Sequence, residues 1–191
     1  GSVDLSNNAW VGGDIIPLSQ PPPPCGEGYD LEANLAVAAV DNDNALLWAD
    51  PVLSEFMTAD GGMLIEHNEQ ALVPAGTFYL SYLEVKNNAK FIVEQGAEVR
   101  LFIEDWISFR NNAEIRNGPE TPDHLVIVTG ADEDLGEEAT LRNNLDLGLY
   151  LFAPDAEIVF ENNAGIHGGI VCRGLTIENN TEVLEPVEEA P

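Results

Sequence analysis

Short runs in which apolar and polar residues alternate fill the chain from Leu72 to Val183, and the same residue pair breaks them again and again. Leu83-Glu84-Val85-Lys86 runs into Asn87-Asn88, after which Ala89-Lys90-Phe91-Ile92-Val93 resumes the alternation. Trp106 to Arg110 leads into Asn111-Asn112 and on to Ile115. Leu141-Arg142 precedes Asn143-Asn144, Ile158 to Glu161 precedes Asn162-Asn163, and Leu175 to Glu178 precedes Asn179-Asn180. A sixth pair, Asn7-Asn8, stands near the start between Leu5 and Val11. The shared pattern is apolar, any, apolar, polar, Asn, Asn, small, any, apolar.

Period-two alternation makes strands with one buried face. Asparagine enters the left-handed backbone region more readily than any residue but glycine, so an Asn pair turns the chain sharply between short strands. From Asn87 onward successive pairs are 24, 32, 19 and 17 residues apart, the length of single coils carrying insertions. The expected fold is therefore all-β: a parallel (right-handed) β-helix or β-solenoid, with a short helix-containing insertion near residues 41–60. An antiparallel sandwich also alternates and turns often, but its turns need not recur at coil spacing.

This reading divides one domain, residues 1–191, into five stretches. Residues 5–16 read as a first coil, and 17–30, with Pro21 to Pro24, as a stiff linker. Residues 31–71 read as an insertion that caps an end or lies along the side. It opens with a short apolar alternation over Leu31, Leu35 and Val37. A helix is expected between Asn44 and Thr58, with N-caps offered by Asp41 to Asn44, a stop at Gly61-Gly62, and Pro51 as an alternative start. Residues 72–183 are the main coils, and 184–191 an acidic tail.

Composition narrows the function. The 191 residues carry 34 acids against 7 bases, a formal charge of −27, and the first 85 residues hold no base. Nucleic acid and anionic membranes need basic stripes, so neither is an expected partner. At 45% apolar the chain buries a core, yet no apolar run reaches the roughly 18 residues that span a bilayer. Gly1-Ser2 reads as a processed end or a cloning scar, so any export signal is lost from view. Composition and charge suit a secreted or salt-adapted protein.

Candidate chemistry is sparse. Asp41 and Asp43, and Asp132 and Asp134 with Glu137 and Glu138, are oxygen clusters of the kind calcium favours, though both lack the glycine and terminal Glu of an EF-hand loop. Calcium is the one cofactor considered. Cys25 and Cys172 would form one long-range disulfide in an oxidising compartment; otherwise they are two unpaired thiols, with Cys172 buried in its apolar run. His67, His124 and His167 share no ligand spacing. No nucleophile elbow, phosphate loop or dinucleotide fingerprint occurs. Carboxylates are spread evenly instead of gathered on one face, so no enzyme is expected, and the threonines form no ice-binding ladder.

From Gly76 to Tyr79 through the Asn-Asn-Ala turns, Val99 to Ile103, Trp106-Ile107-Ser108, Leu149 to Ala156 and Ile166 to Val171, the chain resembles a β-helical domain of unknown function. That domain is found in bacterial surface and pilus-associated (PilX-like) exported proteins. Val3 to Asp14 is similar to that family's first coil, and Ala153-Pro154-Asp155-Ala156 is the most specific motif. The resemblance implies an exported structural or adhesive protein at the surface of a bacterium and carries over no catalytic residue. Because the first repeat begins at Leu5 with almost nothing ahead of it, an open first coil is expected. Open coils stack head to tail into fibres. The leading expectation is thus a self-assembling filament or surface-layer subunit. The alternative is a monomeric adhesin that recognises a surface glycan through Trp10, Trp48, Trp106 or Tyr150.

Overall fold

The computed structural model describes residues 2–6, 9–11, 30–117, 124–130, 141–142 and 146–184. All the strands named below join one sheet through parallel pairings, and these stack as a β-solenoid. The expected fold class is what the chain adopts.

Three sheet faces wind around the axis. The first holds β3 (Met63–Ile65), the second half of β5 (Gly76–Val85), and the second half of β7 (Val99–Phe109). The second holds β4 (Gln70–Val73), β6 (Lys90–Val93) and β8 (Glu114–Asn117). The third holds the first halves of β5 and β7, then β9 (Leu125–Thr129). Two long strands, β11 (Asp146–Glu161) and β12 (Gly165–Ile177), run through all three faces in turn. β10 (Leu141–Arg142) pairs with the end of β11, and β13 (Glu182–Leu184) with the start of β12.

Parallel in-register stacking puts like positions over like, and the core is built from those columns. Phe78, Leu101, Ile127, Leu151 and Ile170 make one. Ala71, Phe91, Ile115 and Leu147 make another, each at most 2% exposed. The small residue of the repeat has a reason: Ala89, Ala113 and Ala164 are buried directly after their turns. In the last coil Thr181 takes that place. It is also buried, because its hydroxyl accepts from the Ala164 N–H (3.3 Å) and donates to the Glu178 carbonyl (2.8 Å). The Ala153 to Ala156 motif is the corner between the last two faces of β11, where its register against β12 shifts. Proline has no N–H to give a ladder, and a bulged corner is where a sheet admits it.

Two expectations are corrected. Leu31 to Val40 forms a helix, α1 (Leu31–Val40), although Leu31, Leu35 and Val37 alternate in the sequence. Its alanines favour helix, and the Asp30 carboxylate caps it by accepting from the Ala33 N–H at 3.0 Å. The expected helix over 44–58 is shorter: α2 (Asn44–Ala49) stops ahead of Pro51, and a single 3-10 turn follows at Leu53–Glu55. The Asp50 carboxylate accepts from the Val52 and Leu53 N–H groups and so starts that turn.

The second correction concerns stacking order. The repeat that comes first in sequence lies last in space. β1 (Ser2–Leu5) pairs with β12, Ser2 opposite Gly174 through Leu5 opposite Ile177. β2 (Trp10–Val11) pairs with β13. The amino-terminal repeat therefore sits at the end of the stack furthest from β3.

Candidate functional site

The two ends of a solenoid expose strand edges, so they are where self-assembly is permitted or prevented. At the near end the outer edge of β5 is satisfied along its length by residues 43–65. The Thr77 N–H donates to the Asp43 carboxylate (2.8 Å), and the Asp43 N–H donates to the Thr77 carbonyl (2.7 Å). The Tyr79 N–H donates to the Asn44 side-chain oxygen (3.0 Å), and the Asn44 amide nitrogen donates to the Tyr79 carbonyl (2.5 Å). Ser81 donates from its N–H to Gly61 and from its hydroxyl to Asp60. β3 covers Leu83 to Val85, and on its own outer side the Leu64 N–H donates to the Phe56 carbonyl. Beneath this cover Leu47, Leu53, Phe56 and Met57 join the solenoid core. Among the described residues, the outer edge of β4 has no strand partner at this end, and that of β3 has only the bridge between Met57 and Met63.

Among the described residues the same insertion carries five of the nine exposed large apolar side chains. Val37, Val40, Leu46, Trp48 and Val52 all lie on it, with Trp48 49% and Val40 86% exposed. The other aromatic candidates are arranged differently. Trp106 stacks face to face on Tyr82, centroids 4.6 Å apart and planes 5° from parallel. A Cβ at Gly62 would overlap the other side of the Tyr82 ring, so Tyr82 lies between Gly62 and Trp106. Tyr150 is half-exposed and rests over Gly169. Nothing is described of the Trp10 side chain. Burial, then hydrogen bonding with Glu104 and the nearby charge of Asp105, raises the Tyr79 hydroxyl to about 12.

The asparagines form ladders along the axis. Asn88 donates to Asn68 (3.2 Å) and Asn112 to Asn88 (2.9 Å); further on, Asn179 donates to Asn162 (3.0 Å) and Asn180 to Asn163 (3.3 Å). Asn68, Asn88, Asn112, Asn162, Asn163, Asn179 and Asn180 are all left-handed. Asn87 and Asn111 instead accept through their carbonyls from the Asn68 and Asn88 N–H groups. Asn68 belongs to this series although His67 precedes it; its place 20 residues before Asn88 is the signal that exposes it. Asn7, Asn8, Asn143 and Asn144 lie outside the described residues.

Bases neutralise the stacked acids between coils. Lys86 meets Glu66 (2.9 Å), Lys90 meets Glu114 (2.6 Å) and Arg110 meets Glu84 (3.0 Å), while within β8 Arg116 meets Glu114. Burial alone would raise Glu114, but hydrogen bonds and charge from Lys90 and Arg116 outweigh it and hold the carboxyl below its ordinary value. Lys86 likewise lowers Glu66.

Of the calcium candidates, Asp43 is engaged in the β5 cover and Asp41 is the exposed C-cap of α1. Asp132 and Asp134 lie outside the described residues, as do Glu137 and Glu138. Among the described residues no three His, Cys, Asp or Glu side chains gather as a metal site. Cys172 lies under Ala153 on the inner side of β12, where burial pushes its thiol up to about 11. Cys25 lies outside the described residues. His67 is exposed beside Glu66 (3.7 Å), His167 is half-buried, and the His124 Nδ1 is buried without a hydrogen-bond partner.

Residues 55–188 match the family described as a domain of unknown function, DUF7305, and the chain belongs to that family. No curated protein and no solved structure matches it.

Proposed function

We propose that this member of the DUF7305 family is a monomeric binding module of an exported surface protein, and that it engages its partner through the helical insertion. The observation that carries this reading is the cover over β5. Head-to-tail growth needs a usable edge at both ends, and Asp43, Asn44, Asp60 and Gly61 occupy most of the near one. The filament expected from the repeat alone is therefore the weaker reading. Exposed apolar residues gathered in one region mark an interaction surface, and five of those described lie on α1, α2 and the segment just beyond them. Trp48 is the leading contact, because an exposed indole supplies a flat apolar face to a sugar ring or to a protein. The excess of acids disfavours anionic partners and suits neutral or cationic glycans.

The test is binding of the purified chain to a panel of neutral, cationic and anionic surface polysaccharides, with Trp48→Ala beside it. Preferential binding to neutral or cationic members, weakened about tenfold or more in the variant at unchanged melting temperature, supports the reading. Equal binding by both chains moves the contact away from the insertion. Binding to no polysaccharide removes the glycan as partner.

A further inference from the structure

The far end of the stack is finished by a strand pair that belongs to the other end of the sequence. β1 and β2 pair only with β12 and β13 among the described residues. The Ser6 N–H donates to the Ile177 carbonyl (3.0 Å), and the Ala9 N–H donates to the Ser6 carbonyl (3.2 Å) to close the turn between the two strands. Val3 and Leu5 continue the inner columns over Leu175 and Ile177, yet remain 38% and 46% exposed. Among the described residues the rung is held by main-chain pairing and by the side chains it faces on β12 and β13, which any copy of the chain presents.

The 18 residues 12–29 join the rung to α1. Fully extended they reach roughly 60 Å, well beyond the height of a solenoid of about 4 turns with rungs some 4.8 Å apart. Their length therefore does not confine the rung to its own chain.

From these relationships we infer that residues 2–11 are an exchangeable rung. The β12–β13 edge of one molecule accepts Ser2–Leu5 and Trp10–Val11 of a second copy in the same parallel register. Exchange of an identical element between protomers adds no contact that the monomer lacks, so the two forms differ mainly in the entropy of association. A rung tethered to its own chain by 18 residues experiences an effective concentration on the order of a millimolar. Monomers therefore prevail in dilute protein, and exchanged chains form where molecules fold together at concentrations near that value. Donation from molecule to molecule makes open chains that carry several copies of the helical insertion, which raises avidity. The exchange stands independently of what the insertion binds.

The register supplies the test. Asp4 faces Thr176, Asp4 exposed and Thr176 half-buried. The full chain carrying Asp4→Cys and Thr176→Cys, with Cys25→Ser and Cys172→Ala, is refolded from urea at about a micromolar and at about a millimolar, then treated with a short thiol-bridging reagent. The expected result is a bridge within one chain in the dilute sample and a ladder of bridged dimers and larger species in the concentrated one. Bridging within one chain at both concentrations overturns the exchange, and no bridging at either overturns the docking itself. Two single-site chains, one with Asp4→Cys and the other with Thr176→Cys, are co-refolded as a control for folding of the double variant. A 4–176 bridge between them, located by mass spectrometry, arises only by exchange, and its absence counts against it.

Discussion

The side chain of Asn44 and the main chain of Tyr79, 35 residues apart, exchange two hydrogen bonds as though Asn44 were a residue of a neighbouring strand. A primary amide has a donor and an acceptor spaced like a peptide group. One side chain thus satisfies both groups of an edge residue that a further coil would otherwise pair. Replacing it with alanine leaves a part-buried N–H and C=O without partners. Asn44→Ala is expected to cost about 1–3 kcal/mol in urea unfolding. Asn44→Asp keeps the acceptor for the Tyr79 N–H but loses the donor, and should fall between.

The ladder asparagines combine two jobs that substitutions separate. Asn88 has φ +59° and both donates to Asn68 and accepts from Asn112. Asn88→Gly keeps the backbone and loses the ladder, whereas Asn88→Ala loses both. The alanine variant is expected to be less stable than the glycine variant by about 1 kcal/mol. Equal stability would show that the left-handed turn is not the reason for asparagine here.

Much of this was legible in the residues. Alternation, the Asn pairs and their spacing give the parallel coils, and the small residue after the pair at Ala89, Ala113, Ala164 and Thr181 marks buried inner positions. The rest was hidden for physical reasons. Leu31 to Val37 alternates apolar residues yet forms a helix, because its alanines and the Asp30 cap outweigh a weak periodicity. Asn44 looks like an ordinary helix cap in sequence; only the fold brings it to Tyr79. The place of β1 was not legible either, since a rung built on the shared repeat fits an edge at either end, and only the occupied near end decides.

Gly62 should accept no side chain. A Cβ there overlaps the Tyr82 ring, which is held from the other side by Trp106. Gly62→Ala is expected to shift Tyr82, alter near-ultraviolet circular dichroism from the Tyr82–Trp106 pair, and destabilise the chain by about 1–3 kcal/mol. An unchanged spectrum would contradict the packing.

Stability should fall on the alkaline side. Cys172 and Tyr79 have folded values raised from 9.0 to about 11 and from 10.0 to about 12. Each raised group contributes fully below its unfolded value, and that contribution is lost as pH rises through the folded one. The melting temperature is therefore expected to decline between about pH 9 and 12, less steeply in Tyr79→Phe and Cys172→Ala. On the acid side Glu66 and Glu114 are lowered, so their contribution is present above the ordinary 4.5 and lost as pH falls through their folded values. A thermal melt series across pH, run with Lys86→Met as a comparison, checks both limbs.

Salt should stabilise the chain. Its charge of −27 acts against the compact state, while the exposed ion pairs contribute at most about 1 kcal/mol each. Raising sodium chloride from low concentration to about the 0.15 M where screening reaches roughly 8 Å is expected to increase the melting temperature. A decrease would mean that the pairs between coils outweigh the net repulsion.

The central claim is that the near end of the solenoid is closed to stacking by its own insertion. Light scattering of natively purified chain, never exposed to denaturant, over a concentration series measures this most directly. The account predicts the mass of a single chain at every concentration well below the millimolar range in which the rung exchanges. Growth into filaments by the unmodified chain would contradict it.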